Sequence, residues 1–275
     1  MSTVTPPNKL SSFSRITRAS LLPGIVSAFL ASGASTFAAS ATWNASATNG
    51  YWEASGAENN WSTGAGTFPG ATTGTTNADT ATFLSSATTS IAIDASTTNA
   101  LGLNMKNITF GASGATPSSF TIGSTSGNAL VLSDAGILML SSGITGTNIT
   151  QTINAPLTLA GASYTIRNDS TITSNTVVVN GAVSGGSASA TTLTLRGGNA
   201  GANTVNGLIS NGLASSLAVT KSDGATWILT NRANSYTGNT TVGGGVLRAV
   251  DTFTYGSGNQ TMTGGGAMGK GQVVV

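Results

Sequence analysis

The chain has 275 residues, of which 39% are hydrophobic and only 7% are charged, and it contains 37 Gly but no Cys and no His. The absence of Cys and His excludes disulfides, thiolate metal sites and Ser-His-Asp catalysis within this chain. Ser and Thr contribute 36 and 45 residues, and because Ser, Thr, Asn and Gly are poor helix formers, the composition favours an all-β fold.

The first forty residues have the pattern of an export signal. The basic residues there are Lys9, Arg15 and Arg18. An apolar stretch of eleven residues follows at 21–31, and small residues follow at 38–41. Positive, apolar and small residues in that order are typical of a secretory signal peptide, and this apolar stretch is too short to span a membrane. We predict a signal peptide over residues 1–41, with cleavage between residues 38 and 41.

Removal of this leader changes the charge balance. Of the 10 basic residues, three lie in the leader and seven remain, whereas all 8 acidic residues lie beyond it. The mature chain therefore has a net charge of 7 − 8 = −1 instead of +2. No basic patch is present for binding to phosphate backbones, so we expect no nucleic-acid partner.

From residue 42 onward, short apolar clusters alternate with turns rich in Gly, Asn, Ser and Thr. Apolar residues at every second position predict half-buried strands. The pairs are Ile91/Ile93, Ile108/Phe110, Leu130/Leu132, Leu157/Leu159, Tyr164/Ile166, Val177/Val179, Leu193/Leu195 and Leu217/Val219. Residues 137–140 form a continuous apolar run, which predicts a strand buried on both faces.

The spacing of these clusters indicates how the strands are arranged. They return at intervals of about 16 to 25 residues, which suits one coil of a β-solenoid with two or three strands per coil. Parallel stacking would place like residues above one another, which Thr and Asn tolerate and charged residues do not. An antiparallel sandwich is the alternative, and the hairpin-type dipeptides Asn180-Gly181 and Asn206-Gly207 support it.

The segment 42–80 differs from the rest because it is rich in tryptophan. Trp43, Trp52 and Trp61 recur every nine residues. We interpret the segment as a cap-like aromatic cluster over the first coil. The alternative is a carbohydrate-binding platform, in which the indole rings stack on sugar faces.

Residues 217–250 carry a specific pattern. The positions are Leu217, Lys221, Gly224, Thr226, Trp227, Leu229, Asn234, Tyr236, Thr237, Gly238, Thr240, Thr241, Val242, Gly245 and Leu247. This pattern closely resembles the autotransporter-associated β-strand repeat. The opening segments, 42–44, 60–61 and 79–83, also look like the start of bacterial proteins that carry this repeat.

The resemblance implies a right-handed parallel β-helix that is secreted or displayed at a bacterial surface as a passenger. It assigns residues 81–216 to solenoid coils, 217–250 to the repeat and 251–275 to the start of a further coil. Passengers of this kind often continue to an anchor or sorting signal, so we expect the sequence to continue beyond residue 275. The family supplies no catalytic residues to transfer.

Two glycine-containing motifs receive structural interpretations. In Asn234–Gly238, we expect Asn234 to cap a turn, Gly238 to adopt a positive φ, and Tyr236 to cover the coil corner with its hydroxyl on the backbone. Residues 264–270 fit the first part of a phosphate-binding loop. The next residue is Gly271 where Ser or Thr is needed, so we interpret the segment as a glycine-rich turn.

The acidic residues were the remaining candidates for catalysis, because sugar hydrolysis needs paired carboxyl groups. They are Glu53, Glu58, Asp79, Asp94, Asp134, Asp169, Asp223 and Asp251. None forms a close pair in sequence, so only stacking of coils could bring two of them together; Asp94 and Asp134, forty residues apart, would then lie two coils apart, at about 10 Å. We therefore predict no catalytic, cofactor-binding or metal-binding residues.

The sequence thus predicts an exported, non-enzymatic β-helical passenger that acts as a structural or adhesive module outside the cell. The alternative is a carbohydrate-active β-helix enzyme or a glycan-binding module. Expected partners are surface glycans or other cell-surface proteins, with end-to-end self-association between copies. No membrane-spanning segment is expected in the mature chain.

Overall fold

The computed structural model describes residues 40–93, 102–112, 114–139, 144–250, 266–269 and 273–274. Nearly all of the predicted signal peptide, together with Asp94 and Asp251, lies outside these residues. In the described part of the chain, no helix is long and apolar enough to cross a membrane.

The described strands form one long sheet and one shorter sheet. Numbered in chain order, the path of the long sheet is β1 (Ala41–Thr42), β2 (Thr80–Phe83), β4 (Leu103–Phe110), β6 (Leu130–Met139), β9 (Ser163–Asn168), β12 (Thr191–Arg196), β15 (Leu217–Lys221), β17 (Thr240–Val242) and β19 (Val273–Val274). Three further strands branch from it at β6: β8 (Leu157–Leu159), β11 (Val183–Gly185) and β14 (Ile209–Ser210). The shorter sheet contains β3 (Ser90–Ile91), β5 (Thr121–Ile122), β7 (Thr150–Ile153), β10 (Thr176–Val179), β13 (Asn203–Val205), β16 (Thr226–Leu229) and β18 (Val246–Ala249).

Strands stack coil upon coil, and each coil in the centre of the chain contributes three strands. For example, β8, β9 and β10 are stacked on β11, β12 and β13, which in turn are stacked on β14, β15 and β16. Every pairing between these numbered strands is parallel. The predicted parallel β-solenoid is confirmed, and the antiparallel sandwich is wrong.

The interior follows the predicted alternation. All the apolar pairs that the sequence identified are buried, as in β12, where Leu193 and Leu195 are 0% exposed. They stack in register on Tyr164 and Ile166 of the preceding coil. Each coil therefore buries its apolar residues against its neighbours.

Two details of the prediction were wrong. Ile137 and Met139 are buried, but Leu138 between them is half-exposed on the outer face, because a strand directs alternate side chains to opposite faces. The coil interval also varies more than predicted: Asn154, Asn180 and Asn206 on successive coils are each 26 residues apart, whereas the register partners Trp227 and Leu247 are 20 residues apart.

The tryptophan-rich segment lies along the first edges of both sheets. Ser62 donates its backbone N–H to the Thr42 carbonyl at 2.8 Å, beside the antiparallel bridge between Trp43 and Trp61. Next to β3, Ala92 donates to the Gly50 carbonyl at 2.7 Å, and Trp52 donates to the Ala92 carbonyl at 2.8 Å. These bonds pair backbone groups that would otherwise be open strand edges.

Candidate functional site

The three N-terminal tryptophans are part of the core. Trp43, Trp52 and Trp61 are at most 1% exposed, and their rings pack at 4.9–6.1 Å from one another and from Phe83. Each indole N–H donates to a backbone carbonyl, namely those of Thr88, Pro69 and Trp52 respectively. Because no indole face is open to solvent, these residues cannot serve as a platform for sugars. The three residues form an aromatic cluster, as predicted, and the role of the segment as a cap stays a prediction.

The acidic side chains with described contacts are engaged in structural roles. Glu58 accepts hydrogen bonds from the Asn49 side chain at 2.6 Å and the Ser55 backbone at 2.8 Å. Asp79 accepts one from the Gly70 N–H at 3.0 Å, and Glu53 is buried. Asp94 and Asp251 lie outside the described residues, and the side chain of Asp134 is not described either. The proposed proximity of Asp94 and Asp134 therefore stays a prediction.

Within the 217–250 segment, Lys221 is buried among backbone carbonyls. Its Nζ donates to the carbonyls of Ser222, Asp223 and Gly244 at 2.6–2.9 Å, and the side chain is 0% exposed. Burial lowers the pKa of Lys221 below its usual value, and the charge of Asp223 opposes this effect. The lysine thus ties two successive coils together at their turn.

The tyrosine motif makes a second connection between coils. The Asn234 side chain accepts from the Ile209 N–H at 2.8 Å and donates to the Ala267 carbonyl at 2.8 Å. Tyr236 is 0% exposed, and its hydroxyl lies 2.7 Å from that of Thr240. The predicted contact of this hydroxyl with the backbone was wrong, because Thr240 relays the bond to the Met268 carbonyl at 3.1 Å.

At two glycines near this motif, another part of the chain lies too close to the backbone to leave room for a side chain. Gly238 does not adopt a positive φ as predicted. A Cβ there would lie 2.5 Å from the Leu217 carbonyl oxygen, so the preceding coil excludes a side chain. Gly269 lies against the Tyr236 ring, where a Cβ would come within 2.7 Å. Gly269, which follows the 3-10 helix Gly266–Met268, therefore packs on Tyr236, whereas Lys270 lies outside the described residues.

A row of threonine hydroxyls runs across the outer face of the long sheet. Thr165, Thr194, Thr220 and Thr241 are register partners on β9, β12, β15 and β17. All four are half-exposed. Because neighbouring strands are about 4.8 Å apart, the row presents hydroxyl groups at a regular spacing. We call these four residues the hydroxyl row.

Beside the hydroxyl row, two arginines are stacked in register. Arg167 on β9 and Arg196 on β12 are direct register partners. Arg167 Nε lies 2.6 Å from Asp169 Oδ2, and Arg196 Nε lies 2.8 Å from Asp223 Oδ2. The hydrogen bond from Arg196 lowers the pKa of Asp223. A general acid in glycoside hydrolysis needs a raised pKa instead, so Asp223 is unsuited to that role.

A groove of about 220 Å³ opens at these arginines. Its walls are formed by Asn107, Ile137, Leu138, Thr165, Arg167 and Arg196. Gly136, which has no side chain, lies next to this groove as the register partner of both Asn107 and Thr165. A Cβ at Gly136 would lie 2.1 Å from the Thr165 carbonyl oxygen, and its φ is +120°, so the fold requires glycine there. We call this feature the arginine groove.

The arginine groove cannot be identified from the strand patterns of the sequence. Leu138, Arg167 and Arg196 are each 29 residues apart, and they are successive register partners. This equal spacing was the signal that could have revealed them, because residues one coil apart lie side by side in a solenoid.

Residues 219–249 match the passenger-associated-transport-repeat family. No curated protein and no solved structure matches the chain. The match lies within the segment 217–250 on which the resemblance was based, and it confirms that resemblance. The chain thus carries a passenger-associated transport repeat, and this repeat and the β-solenoid together fit an autotransporter passenger repeat protein.

Proposed function

We propose that the protein is an exported, non-enzymatic passenger that acts as an adhesive module outside the cell, with the outer face of the long sheet as its contact surface. The hydroxyl row carries this proposal. It places four half-exposed threonines in register across four strands. Many weak contacts of this kind add up when both surfaces present them repeatedly.

The passenger-associated repeat supports the location outside the cell, since this family implies an extracellular or cell-surface protein. It also supports a role without catalysis, because passenger repeats of this family are generally structural. The buried contacts of Lys221 and Asn234 agree with that role, since each connects one coil to the next. Tyr236 does so through Thr240, which donates to the Met268 carbonyl.

We also propose the division of the chain that the sequence suggested. The segment 42–80 would be a cap, and its backbone bonds to the first edges of both sheets support this. Residues 81–216 would form the body of the solenoid, and 217–250 the repeat that joins it to the coil beginning at 251.

The adhesive role can be tested with beads that carry the purified full-length chain. Retention under flow would be measured on surfaces coated with cellulose, amylose or mucin. The test variant replaces three members of the hydroxyl row by valine: Thr194→Val, Thr220→Val and Thr241→Val. Valine keeps the shape and strand preference of threonine but removes its hydrogen bonds, so we expect retention to fall about tenfold or more.

The matched control removes three outward hydroxyls from the shorter sheet: Thr121→Val, Thr152→Val and Thr204→Val. These residues are likewise half-exposed on strands. The proposal predicts that this control is retained as well as the unmodified chain. Equal losses in the two variants, or no retention of the unmodified chain on any surface, would refute it.

A further inference from the structure

The arginine groove has the features of a site for an anionic group. Arg167 and Arg196 lie on neighbouring strands, which places their backbones about 4.8 Å apart. Each arginine contacts its aspartate through Nε. A guanidinium carries four further N–H groups on its two Nη atoms, and these groups suit the two oxygens of a carboxylate.

The paired aspartates set the selectivity of the groove. Two positive and two negative charges balance there, so long-range attraction of polyanions is weak and recognition depends on direct contact with the guanidinium groups. Both arginine side chains are about 40% exposed, at 42% and 39%. They are therefore accessible to a ligand while the aspartates hold them in place.

The remaining walls suit a sugar ring. Asn107 Nδ2 donates to Thr109 Oγ1 at 3.1 Å, and the Oδ1 of an asparagine amide can accept a hydrogen bond from a ligand hydroxyl. Thr165 supplies a hydroxyl, and Leu138 supplies an apolar surface between these polar groups. The volume, about 220 Å³, is smaller than that of a typical drug-sized pocket and suits a single sugar unit.

We propose that the arginine groove binds one carboxylate-bearing unit of an acidic polysaccharide, with the carboxylate between the guanidinium groups of Arg167 and Arg196 and the sugar ring against Leu138. This assignment rests on the proposed adhesive function and names one class of partner for it. Binding at a single unit of this size is weak, with a Kd on the order of 0.1–1 mM.

The test is calorimetric titration of the full-length chain with trigalacturonate, with maltotriose as its neutral counterpart and acetate as a free carboxylate. The unmodified chain is expected to bind trigalacturonate and to show no measurable heat with the other two. Arg196→Gln should weaken trigalacturonate binding about tenfold or more, because the charged donor is lost. Arg248→Gln is the matched control, because Arg248 is exposed on β18 in the other sheet. This variant should bind trigalacturonate as the unmodified chain does.

A second variant keeps both arginine–aspartate pairs intact. Leu138→Glu places a carboxylate beside its register partner Arg167, where it competes with the ligand, so binding should be lost while the fold is retained by circular dichroism. Equal binding of maltotriose or acetate, or unchanged binding by Leu138→Glu or Arg196→Gln, would overturn the assignment. Such a result would leave bead retention through the hydroxyl row unaffected, so failure of the groove and failure of the adhesive function are distinguishable.

Discussion

Buried side-chain amides take the place of backbone carbonyls at several points in the interior. The acceptor oxygens of Gln151, Asn175, Asn203 and Asn234 accept N–H groups of the preceding coil, from Phe120, Ile149, Val177 and Ile209 respectively. These N–H groups lie at or next to the first residues of strands β5, β7, β10 and β14. A buried N–H without an acceptor would cost about 1–3 kcal/mol, so each amide stabilises the start of a strand.

Asn203→Leu is expected to lower the free energy of unfolding by about 2–5 kcal/mol. Asn203 is 0% exposed; its Oδ1 accepts from the Val177 N–H and the Asn168 side chain, and its Nδ2 donates to the Thr226 carbonyl. Leucine fills the space but leaves these partners unpaired. Urea denaturation would measure the loss, with Asn239→Leu as control, because Asn239 is exposed and should change stability by less than about 1 kcal/mol. Similar stability of the two variants would contradict this role.

Tyr236 gives the protein a specific sensitivity to alkaline pH. Burial raises its pKa from 10.0 to about 12, so the folded state holds the phenolic proton more tightly than the unfolded state does. Below pH 10 both states are protonated, and between pH 10 and about 12 the unfolded state loses its proton first, so stability falls as pH rises. The full loss is about 3 kcal/mol.

The measurement for this prediction is the free energy of unfolding against pH for the unmodified chain and for Tyr236→Phe. Phenylalanine keeps the ring but cannot ionise, whereas Lys221 and the other titrating groups are present in both proteins. Above pH 10, the free energy of unfolding of the unmodified chain should therefore fall relative to that of Tyr236→Phe. Parallel curves from pH 9 to 12 would show that Tyr236 does not ionise differently on folding.

At the scale of elements, the alternation of apolar residues was enough to predict most strands. The pairs in β8, β9, β10, β12 and β15 were identified because one face of each strand is buried and the other is not. The predicted burial of Leu138 was wrong, because a run of apolar residues does not show which face of the sheet is open to solvent. Gly238 was expected to adopt a positive φ, but glycine is needed there because the preceding coil lies close, at Leu217. Such a contact leaves no local signal in the sequence.

The repeat segment was predicted well at its centre and less well at its end. Trp227 and Leu229 are 0% exposed, as expected for residues that point into the coil. Because each coil buries its apolar residues against its neighbours, Val242 and Leu247 are expected in the interior as well, but they are only half-buried. They lie on β17 and β18, near the end of the continuous described range.

Leu229→Ala tests whether this segment is a local packing unit. Truncation of a buried leucine costs about 2–5 kcal/mol, and in a stacked repeat the loss of contacts is felt first in neighbouring coils. Hydrogen exchange should therefore show lost protection in β15 to β18 while β1 to β3 and the tryptophan cluster stay protected. Leu213→Ala is the control, because Leu213 is 65% exposed and should change little. Uniform loss of protection along the chain would indicate a single cooperative core instead.

At the scale of the whole molecule, the solenoid fold explains why the chain contains so few charged residues. Parallel stacking places like residues on neighbouring coils, and the ladder from Asn154 through Asn180 to Asn206, at 2.8–2.9 Å, shows the favourable case for amides. The two stacked arginines are the unfavourable case, and each has an aspartate beside it. Their juxtaposition depends on the length of a coil, 29 residues at this position, which strand patterns alone do not provide. The fold class was thus predictable, whereas the groove was not.

The central claim is that the protein works outside the cell as an exported passenger. Its most direct test is proteinase K treatment of intact Gram-negative cells that express the full-length chain, followed by mass spectrometry of the released and secreted material. Peptides from residues 42–250 should be released without lysis, and the most N-terminal species should begin between residues 39 and 42. Recovery of the protein only after lysis, with residue 1 intact, would contradict the account.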